Sequence, residues 1–470
     1  MTDTDEITLN DQQLKVIEHV KNGRNVFVTG SAGTGKSLVI EHIKKAAREL
    51  GRCVCVTAMT GVAASNVNGS TLHSWASIGL GKAEPRKHAF YVKKSENALT
   101  RYLDTDILIV DEISMADYDY INKVNAVAKL VRGNLSESFG GIQVVFSGDF
   151  FQLGPVQKNK QTKFLFEDYV WTRVIDECVH LTHIYRQRNQ DFVDILQKIR
   201  EGDVSEDTIK KIDSTKHNKL VNSNGIKPTT LFCRNLDVDA INKSSIKKIE
   251  GEMFNNDSVD YYLDDSYKKL YEKSFTMQPD LQLKVGAQVM LLINLNVEGG
   301  LVNGSRGVVS KFVRDKGKED DDECDPDDHT GRVSGIGVKF SNGREEVIQP
   351  FKQEFRDDDD SMEAPAKAYR IQYPLRLAYA LTIHKSQGLS IDCLEIDLRG
   401  CFAHGQAYVA LSRATSFENL RVKNFSKKCI ITSEVVKNFY NNLDSKKRPR
   451  GALEAMFQAS KKSRPDVPPK

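Results

Sequence analysis

Residues 30–37 read Gly30-Ser31-Ala32-Gly33-Thr34-Gly35-Lys36-Ser37, which fits the pattern G-x-x-x-x-G-K-[ST]. The chemistry of that spacing is phosphate binding. The glycines let the backbone wrap an anion with its N–H groups. Lys36 adds a point charge at the β- and γ-phosphates, and the Ser37 hydroxyl is a magnesium ligand. All eight residues are candidates for holding ATP. Asp111 and Glu112 follow the apolar run Ile107–Val110. At a strand end Asp111 can hold Mg2+ through water, and Glu112 can orient and deprotonate an attacking water. Two neighbouring carboxylates could also be plain surface charge; the phosphate loop upstream favours catalysis. Gln152, at the end of Ser147-Gly148-Asp149-Phe150-Phe151-Gln152, is placed to sense the γ-phosphate.

Such residues need a frame. Asn25–Thr29, Cys53–Thr57, Ile107–Val110 and Gln143–Ser147 read as short buried strands, and Leu38–Leu50 and Tyr120–Arg132 as helices. Strands alternating with helices predict a parallel sheet covered on both faces. The pattern resumes at Thr230–Cys233 and Leu394–Leu398. The expected fold class is α/β, with two parallel-sheet lobes. Between about 305 and 370, glycines separate β-rich pieces, Val308–Val313, Arg332–Phe340 and Glu345–Gln349. These predict a small β-barrel inserted in the second lobe. The expected divisions are 1–182 for the first lobe, with a small insertion near 72–100, and 183–304 with 371–440 for the second. The barrel is then 305–370, and a basic tail runs over 441–470.

Composition sets limits. The chain has 470 residues, suggesting roughly two to four domains, and 40% are apolar. No run approaches the roughly 18 apolar residues of a membrane span. The start, with Asp3, Asp5 and Glu6, lacks a signal-peptide pattern. The expectation is a soluble intracellular protein. Eight cysteines form no C-x-x-C pair, so they read as core residues rather than zinc ligands. The net charge of +3 conceals a tail, 444–470, that carries eight Lys/Arg against three Asp/Glu. The acidic runs Glu319–Glu323 and Asp357–Asp360 read as solvated loops.

Further segments carry a resemblance. Leu9-Asn10-Asp11-Gln12-Gln13 is similar to an adenine-reading Q motif, and Thr57–Val67 with Thr71-Leu72-His73-Ser74-Trp75 to a first strand-binding motif. Tyr120–Gln143, Leu181–Gln187, Thr382–Gly388 and Gly405–Ala414 follow in the order of later motifs. From about residue 7 to 430 the chain resembles a Pif-type (petite integration frequency) DNA helicase of superfamily one B. It departs at Asn122, Asn125, Ser138, Gly154 and Tyr379. The resemblance implies two RecA-like lobes and an SH3-like barrel. It implies that Gln13 contacts adenine and that Arg186 and Arg413, from the second lobe, neutralise the γ-phosphate across a cleft. Thr60, His73, Thr382, His384, Lys385, Ser386 and Gln387 are the implied DNA contacts. Trp75 either stacks on a base or packs in the core. The segment Leu301–Gly307 is implied to lead into the strand-gripping barrel.

The function that follows is an ATP-dependent DNA helicase, moving 5′ to 3′ on single-stranded DNA and unwinding duplex or structured DNA. Single-stranded and forked DNA are the expected partners, with a monomer in solution and no membrane. The setting is replication, repair, recombination or telomere maintenance. The rivals are a nucleotide-gated DNA-binding scaffold without unwinding and a P-loop kinase. DNA-stimulated hydrolysis separates the helicase from both. Lys446-Lys447-Arg448-Pro449-Arg450 and Lys461-Lys462-Ser463-Arg464 resemble a two-part nuclear localisation signal, or else tether DNA.

Overall fold

The computed structural model describes residues 9–444, apart from 68, 156–162, 188, 221–225, 273–274, 297–298, 302, 315–332, 356–365 and 367. Both acidic runs, Val302, and the basic clusters of the tail lie outside the described residues.

A six-stranded sheet forms the first lobe. Its spatial order is 70–71, 54–58, 107–111, 143–148, 26–30, 177–181, and every pairing is parallel. Val26–Gly30, Ile107–Asp111 and Gln143–Gly148 are buried along their whole length. That explains their continuous apolar sequences, since a parallel strand covered on both faces has no solvent side. Parallel direction also puts every strand's C-terminal end on one edge. Gly30, Asp111 and Gly148 therefore end together, on the edge where α/β sheets bind ligands. The helix Lys36–Glu49 buries Val39, Ile40, Ile43 and Ala47 against Val26, Val28, Ile107 and Ile109.

The second lobe carries a four-stranded parallel sheet in the order 380–382, 229–232, 394–397, 420–423. Each expected strand of both lobes appears, displaced by a residue or so. A five-stranded antiparallel sheet occupies the expected inserted region, in the order 345–348, 333–340, 306–314, 288–291, 375–377. Two of its strands, Gln288–Leu291 and Leu375–Leu377, fall on either side of 305–370 in sequence. Val289, Leu291 and Leu375 close its core with Val309, Ile336 and Phe340. Gly-rich punctuation marked only this sheet's three strands within 305–370. Two smaller antiparallel sheets, 254–257 with 280–283 and 351–355 with 368–372 and 259–262, had no such signal.

The helix Glu434–Asp444 differs from expectation in place as well as length. It runs past 440, and Val436, Phe439 and Tyr440 join the core of the first lobe, with Phe27, Phe150 and Trp171. The Phe439 ring stacks on Phe166 at 4.1 Å and Tyr440 on Phe151 at 4.9 Å. Among the described residues, no helix is long and apolar enough to cross a membrane.

Candidate active site

The phosphate loop hangs between Gly30, at the end of the central strand, and the helix that starts at Lys36. Gly35 has φ +83°, and a Cβ there would meet Gln13 Nε2 at 2.6 Å. Gly33, at φ +86°, would put one 2.6 Å from Arg186 Cβ. Both left-handed conformations and both close approaches demand glycine. No side chain caps the helix N-terminus at Gly35. Its first N–H groups are therefore available to an anion, and the helix dipole favours negative charge there.

Residues of both lobes line a cleft of about 550 Å³ over this loop. It brings together Gln13, Ala32–Leu38, Asp111, Glu112, Gln152, Arg186 and Arg413. Lys36 Nζ donates to the carbonyls of Gly30 at 2.8 Å and Ser31 at 3.0 Å. Burial lowers the pKa of its ammonium, against the pull of Asp149 and Glu112. Asp111 Oδ1 accepts from Ser147 Oγ at 2.7 Å. Burial pushes the Asp111 carboxyl up, and it pushes Glu112 up to about 7, with help from the Asp111 charge. Glu112 also has a left-handed backbone, φ 52°, a strained conformation that L-residues adopt chiefly where the surroundings impose it.

Asp111, Glu112 and Ser37 line the same cleft and make an oxygen donor set. That suits magnesium, a hard cation that is held through a few oxygens and keeps several waters. Ser37 and Asp111 are the residues that would hold it, supplying charge to spread over β- and γ-oxygens.

Gln13 is buried against the loop: its Nε2 donates to the Thr34 carbonyl at 3.3 Å, and its Oε1 accepts from Asn10 N–H at 3.1 Å. Arg186 is not on the second sheet. It stands in the connection after strand 177–181, against Gly33, and donates to the Ser412 carbonyl at 3.2 Å. Arg413 follows the helix Gln406–Leu411 of the second lobe and is buried. Burial, and then the Arg186 charge, bring its pKa down to about 9. Its three nitrogens donate to Val409 O, Leu389 O and Ser412 Oγ, all in its own lobe. Gln152 is buried, within reach of Gln387 Nε2 at 3.5 Å.

The residues expected to touch DNA divide. Lys385 is exposed and His384 half-buried, on one turn of helix over His384–Ser386. Burial lowers the pKa of both. Thr382 is buried and its Oγ1 accepts from Lys385 N–H at 3.3 Å. Thr60 caps the helix Gly61–Asn66, accepting from Ala63 N–H at 3.2 Å. His73 stacks on Tyr120 at 4.3 Å. Ser386 is fully buried, its hydroxyl donating to Ile383 O at 2.8 Å. Gln387 is buried and turned inward, donating to Glu112 Oε2 at 2.8 Å. Trp75 lies in the core, 4.7 Å from the Tyr102 ring, with its Nε1 donating to Thr105 at 3.4 Å. Arg306 ties the antiparallel sheet to the second lobe, donating to Asp392 Oδ1 at 3.0 Å and to Lys227 O at 3.2 Å.

Asp149, Arg200, Tyr408 and Tyr440 were not singled out by their sequence. Arg200, on the helix Gln190–Glu201, forms a two-pronged buried pair with Asp149, both contacts at 2.9 Å. Burial alone would raise the Asp149 carboxyl; the Arg200 guanidinium overrides that and holds it below the ordinary range. The Tyr408 hydroxyl accepts from Ala32 N–H at 2.9 Å. Asp149 and Tyr408 lie within motif segments that did not reveal their own roles, and Arg200 and Tyr440 lie in no such segment, because each acts across a long stretch of chain.

A family model described as "PIF1-like helicase" matches residues 8–210, and one described as "DNA helicase Pif1, 2B domain" matches 272–312. The chain is 39% identical over 446 residues to ATP-dependent DNA helicase PIF1 of Xenopus laevis, covering 95% of this chain and 66% of that protein. It thus spans a little under two thirds of that curated relative. The crystal structure of a Pif1 helicase from Candida albicans matches with TM-score 0.77 and 36% identity, covering 93% of this chain and 100% of that one. Pif1 from Bacteroides sp in complex with ADP-AlF4 matches with TM-score 0.76 at 30% identity, covering 94% and 98%. Pif1 from Bacteroides gives TM-score 0.75 unliganded and 0.64 bound to single-stranded DNA, and a structure of two coordinating Pif1 helicases at forked duplex DNA gives 0.65. With the Candida albicans chain matched over its whole length, and the loop, carboxylates and arginines converging on one cleft, the chain belongs to the PIF1-like helicase family.

Proposed function

We propose that the chain hydrolyses ATP to drive 5′-to-3′ movement on single-stranded DNA, unwinding duplex or structured DNA. The observation that carries this is the cleft itself. Lys36, Asp111 and Glu112 come from one lobe and Arg413 from the other, around a free helix N-terminus. The phosphate loop cradles the triphosphate, and Glu112 takes the proton of the attacking water. Gln152 senses the γ-phosphate. Arg186 and Arg413 neutralise charge that develops in the transition state. Arg413 has to leave its own lobe's carbonyls to do so, which couples hydrolysis to closure. Bound single-stranded DNA in the Bacteroides relatives supports the substrate class.

Exposed Lys385 and half-buried His384, with Thr60 and His73 on the facing lobe, are the proposed strand contacts. Backbone phosphates rather than base edges are the target, as a motor indifferent to sequence requires. We assign 1–182, joined by the helix Glu434–Asp444, and most of 183–304 with 371–433 to two RecA-like lobes, with an SH3-like unit, completed by Gln288–Leu291 and Leu375–Leu377, between them. The protein acts as a monomer in replication, repair, recombination or telomere maintenance, and the basic tail directs it to the nucleus. Strand displacement from duplexes with 5′ or 3′ tails tests the activity and the polarity together. Unwinding only from a 3′ tail refutes the polarity, and ATP consumption without unwinding leaves the scaffold. A reporter fused to 444–470 and left in the cytoplasm removes the nuclear assignment.

A further inference from the structure

The amide of Gln387 crosses from the second lobe to the carboxylate of the first. Its Nε2 lies 2.8 Å from Glu112 Oε2 and 3.5 Å from Gln152 Oε1. The side chain is 5% exposed, and its Oε1 is buried with no hydrogen-bond partner. A buried amide with one end paired and the other orphaned is costly. The side chain therefore gains from any second position that pairs both ends.

What would move it is written in the backbone around it. Gln387 directly follows the single turn His384–Ser386. That turn is braced internally, by Lys385 N–H on Thr382 Oγ1 at 3.3 Å and Ser386 Oγ on Ile383 O at 2.8 Å. A braced turn moves as one piece. Its outer side presents Lys385 to solvent, and its end holds Gln387 against Glu112. The next residue, Gly388, touches the first lobe again: a Cβ there would come within 2.6 Å of Asn66 Nδ2. Anything that grips Lys385 or shifts Gly388 displaces the Gln387 amide.

While the contact stands, one oxygen of Glu112 is committed to the opposite lobe and the orientation of the carboxylate is set by it. A general base needs a free lone pair aimed at a water within about 2.6–3.2 Å. Here one carboxylate oxygen already accepts an N–H, and its direction is set by the opposite lobe. The chain matches the unliganded Bacteroides structure with TM-score 0.75 and the one bound to single-stranded DNA with 0.64.

We propose that Gln387 is a positioning residue that restrains Glu112 until single-stranded DNA, bound at the His384–Lys385 turn, draws the amide away. The contact makes hydrolysis wait for the strand. The proposal rests on the motor reading above.

The test is steady-state ATP hydrolysis at saturating Mg-ATP, with and without oligo(dT), for the full chain and for Gln387→Leu. Leucine matches the bulk and lacks the donor. The DNA-free turnover of Gln387→Leu rises several-fold, the stimulation by oligo(dT) shrinks, and the affinity for fluorescent oligo(dT) without nucleotide stays that of the wild type. A purely structural role lowers both rates together. A DNA-free rate at or below wild type overturns the proposal, as does a fall in oligo(dT) affinity that accounts for the lost stimulation. If Gln387→Leu does not fold, Gln387→Asn, whose amide stops one methylene short, carries the same comparison with the same outcomes. A wild-type chain that hydrolyses no ATP in either condition sinks the motor reading instead. That result is distinct from a stimulated wild type beside an unreleased variant.

Discussion

The hydroxyl of Tyr440 ends 2.6 Å from that of Thr29, 411 residues earlier in the chain. Thr29 is the last residue but one of the strand that launches the phosphate loop. The same Tyr440 oxygen accepts from Phe150 N–H at 3.1 Å and donates to Asp149 Oδ1 at 3.2 Å. Asp149 in turn is clasped by Arg200. Four segments thus meet in one dry polar knot beneath the nucleotide cleft.

Arg200→Met leaves the Asp149 charge buried and unpaired, a loss of about 3–5 kcal/mol. Tyr440→Phe keeps the ring on Phe151 and removes only the hydroxyl, a loss of about 1–3 kcal/mol. Urea titrations followed by fluorescence of the buried Trp171 should rank them in that order. Because the folded carboxyl of Asp149 sits below its ordinary 3.8, its contribution is present above that value and disappears as pH falls through the folded one. Asp149→Asn should flatten the acid side of the stability curve. An unchanged acid limb in that variant means another carboxylate governs it.

Lys36→Ala should lower ATP turnover by at least about a hundredfold, since it removes a charge preorganised at the transferring phosphoryl group. Its thermal midpoint should stay near wild type, because the hydrogen bonds of Lys36 go to the Gly30 and Ser31 carbonyls and the buried ammonium is costly to desolvate. A comparable drop in midpoint would turn this residue into a structural one.

Glu112→Gln should bind nucleotide and turn over roughly 10²–10⁴ times more slowly. The wild-type base is ionised above about 7, so kcat/KM should fall tenfold per pH unit below that point. The limb should be missing from the residual activity of the variant. A wild-type profile flat from pH 8 to 5.5 contradicts the assignment.

Trp75→Ala opens a hole against Tyr102 and should cost about 3–5 kcal/mol. Trp75→Phe, which restores most of the volume, should bind oligo(dT) as tightly as wild type. A clear loss of affinity in the phenylalanine variant would bring back the stacking role.

Lys385→Ala should weaken DNA binding about equally for every sequence. It should also reduce the slope of log affinity against log salt by about 1. An unaltered slope places the phosphate contact elsewhere on the turn.

The sequence made the nucleotide site legible because its parts are local. A loop of eight consecutive residues needs its glycines where they stand, and Asp111 and Glu112 follow a strand whose apolar run is unmistakable. The same strands, buried on both faces, announced the two parallel sheets. The knot around Tyr440 was invisible for the opposite reason. Arg200 and Tyr440 lie on amphipathic helices where a lone polar residue reads as solvent-facing, and only the tertiary fold buries them. Gln387 shows a subtler failure. Its place in a strand-binding segment pointed to DNA, but the turn His384–Ser386 presents Lys385 outward and Gln387, extended just after it, is buried. Two strands of the antiparallel sheet escaped notice because Gln288–Leu291 and Leu375–Leu377 are too short for periodicity to register.

The docking of helix Glu434–Asp444 into the first lobe has a consequence for biosynthesis. Domains emerging from the ribosome generally fold in order, at synthesis rates of about 5–20 residues per second. Here the nascent first lobe lacks Phe439 and Tyr440 until roughly 250 further residues have been added, on the order of 12–50 seconds later. Through that interval the groove that Phe27, Phe150 and Phe166 share with the helix stays open. The phosphate loop reaches its finished footing only once Phe439 and Tyr440 have been added.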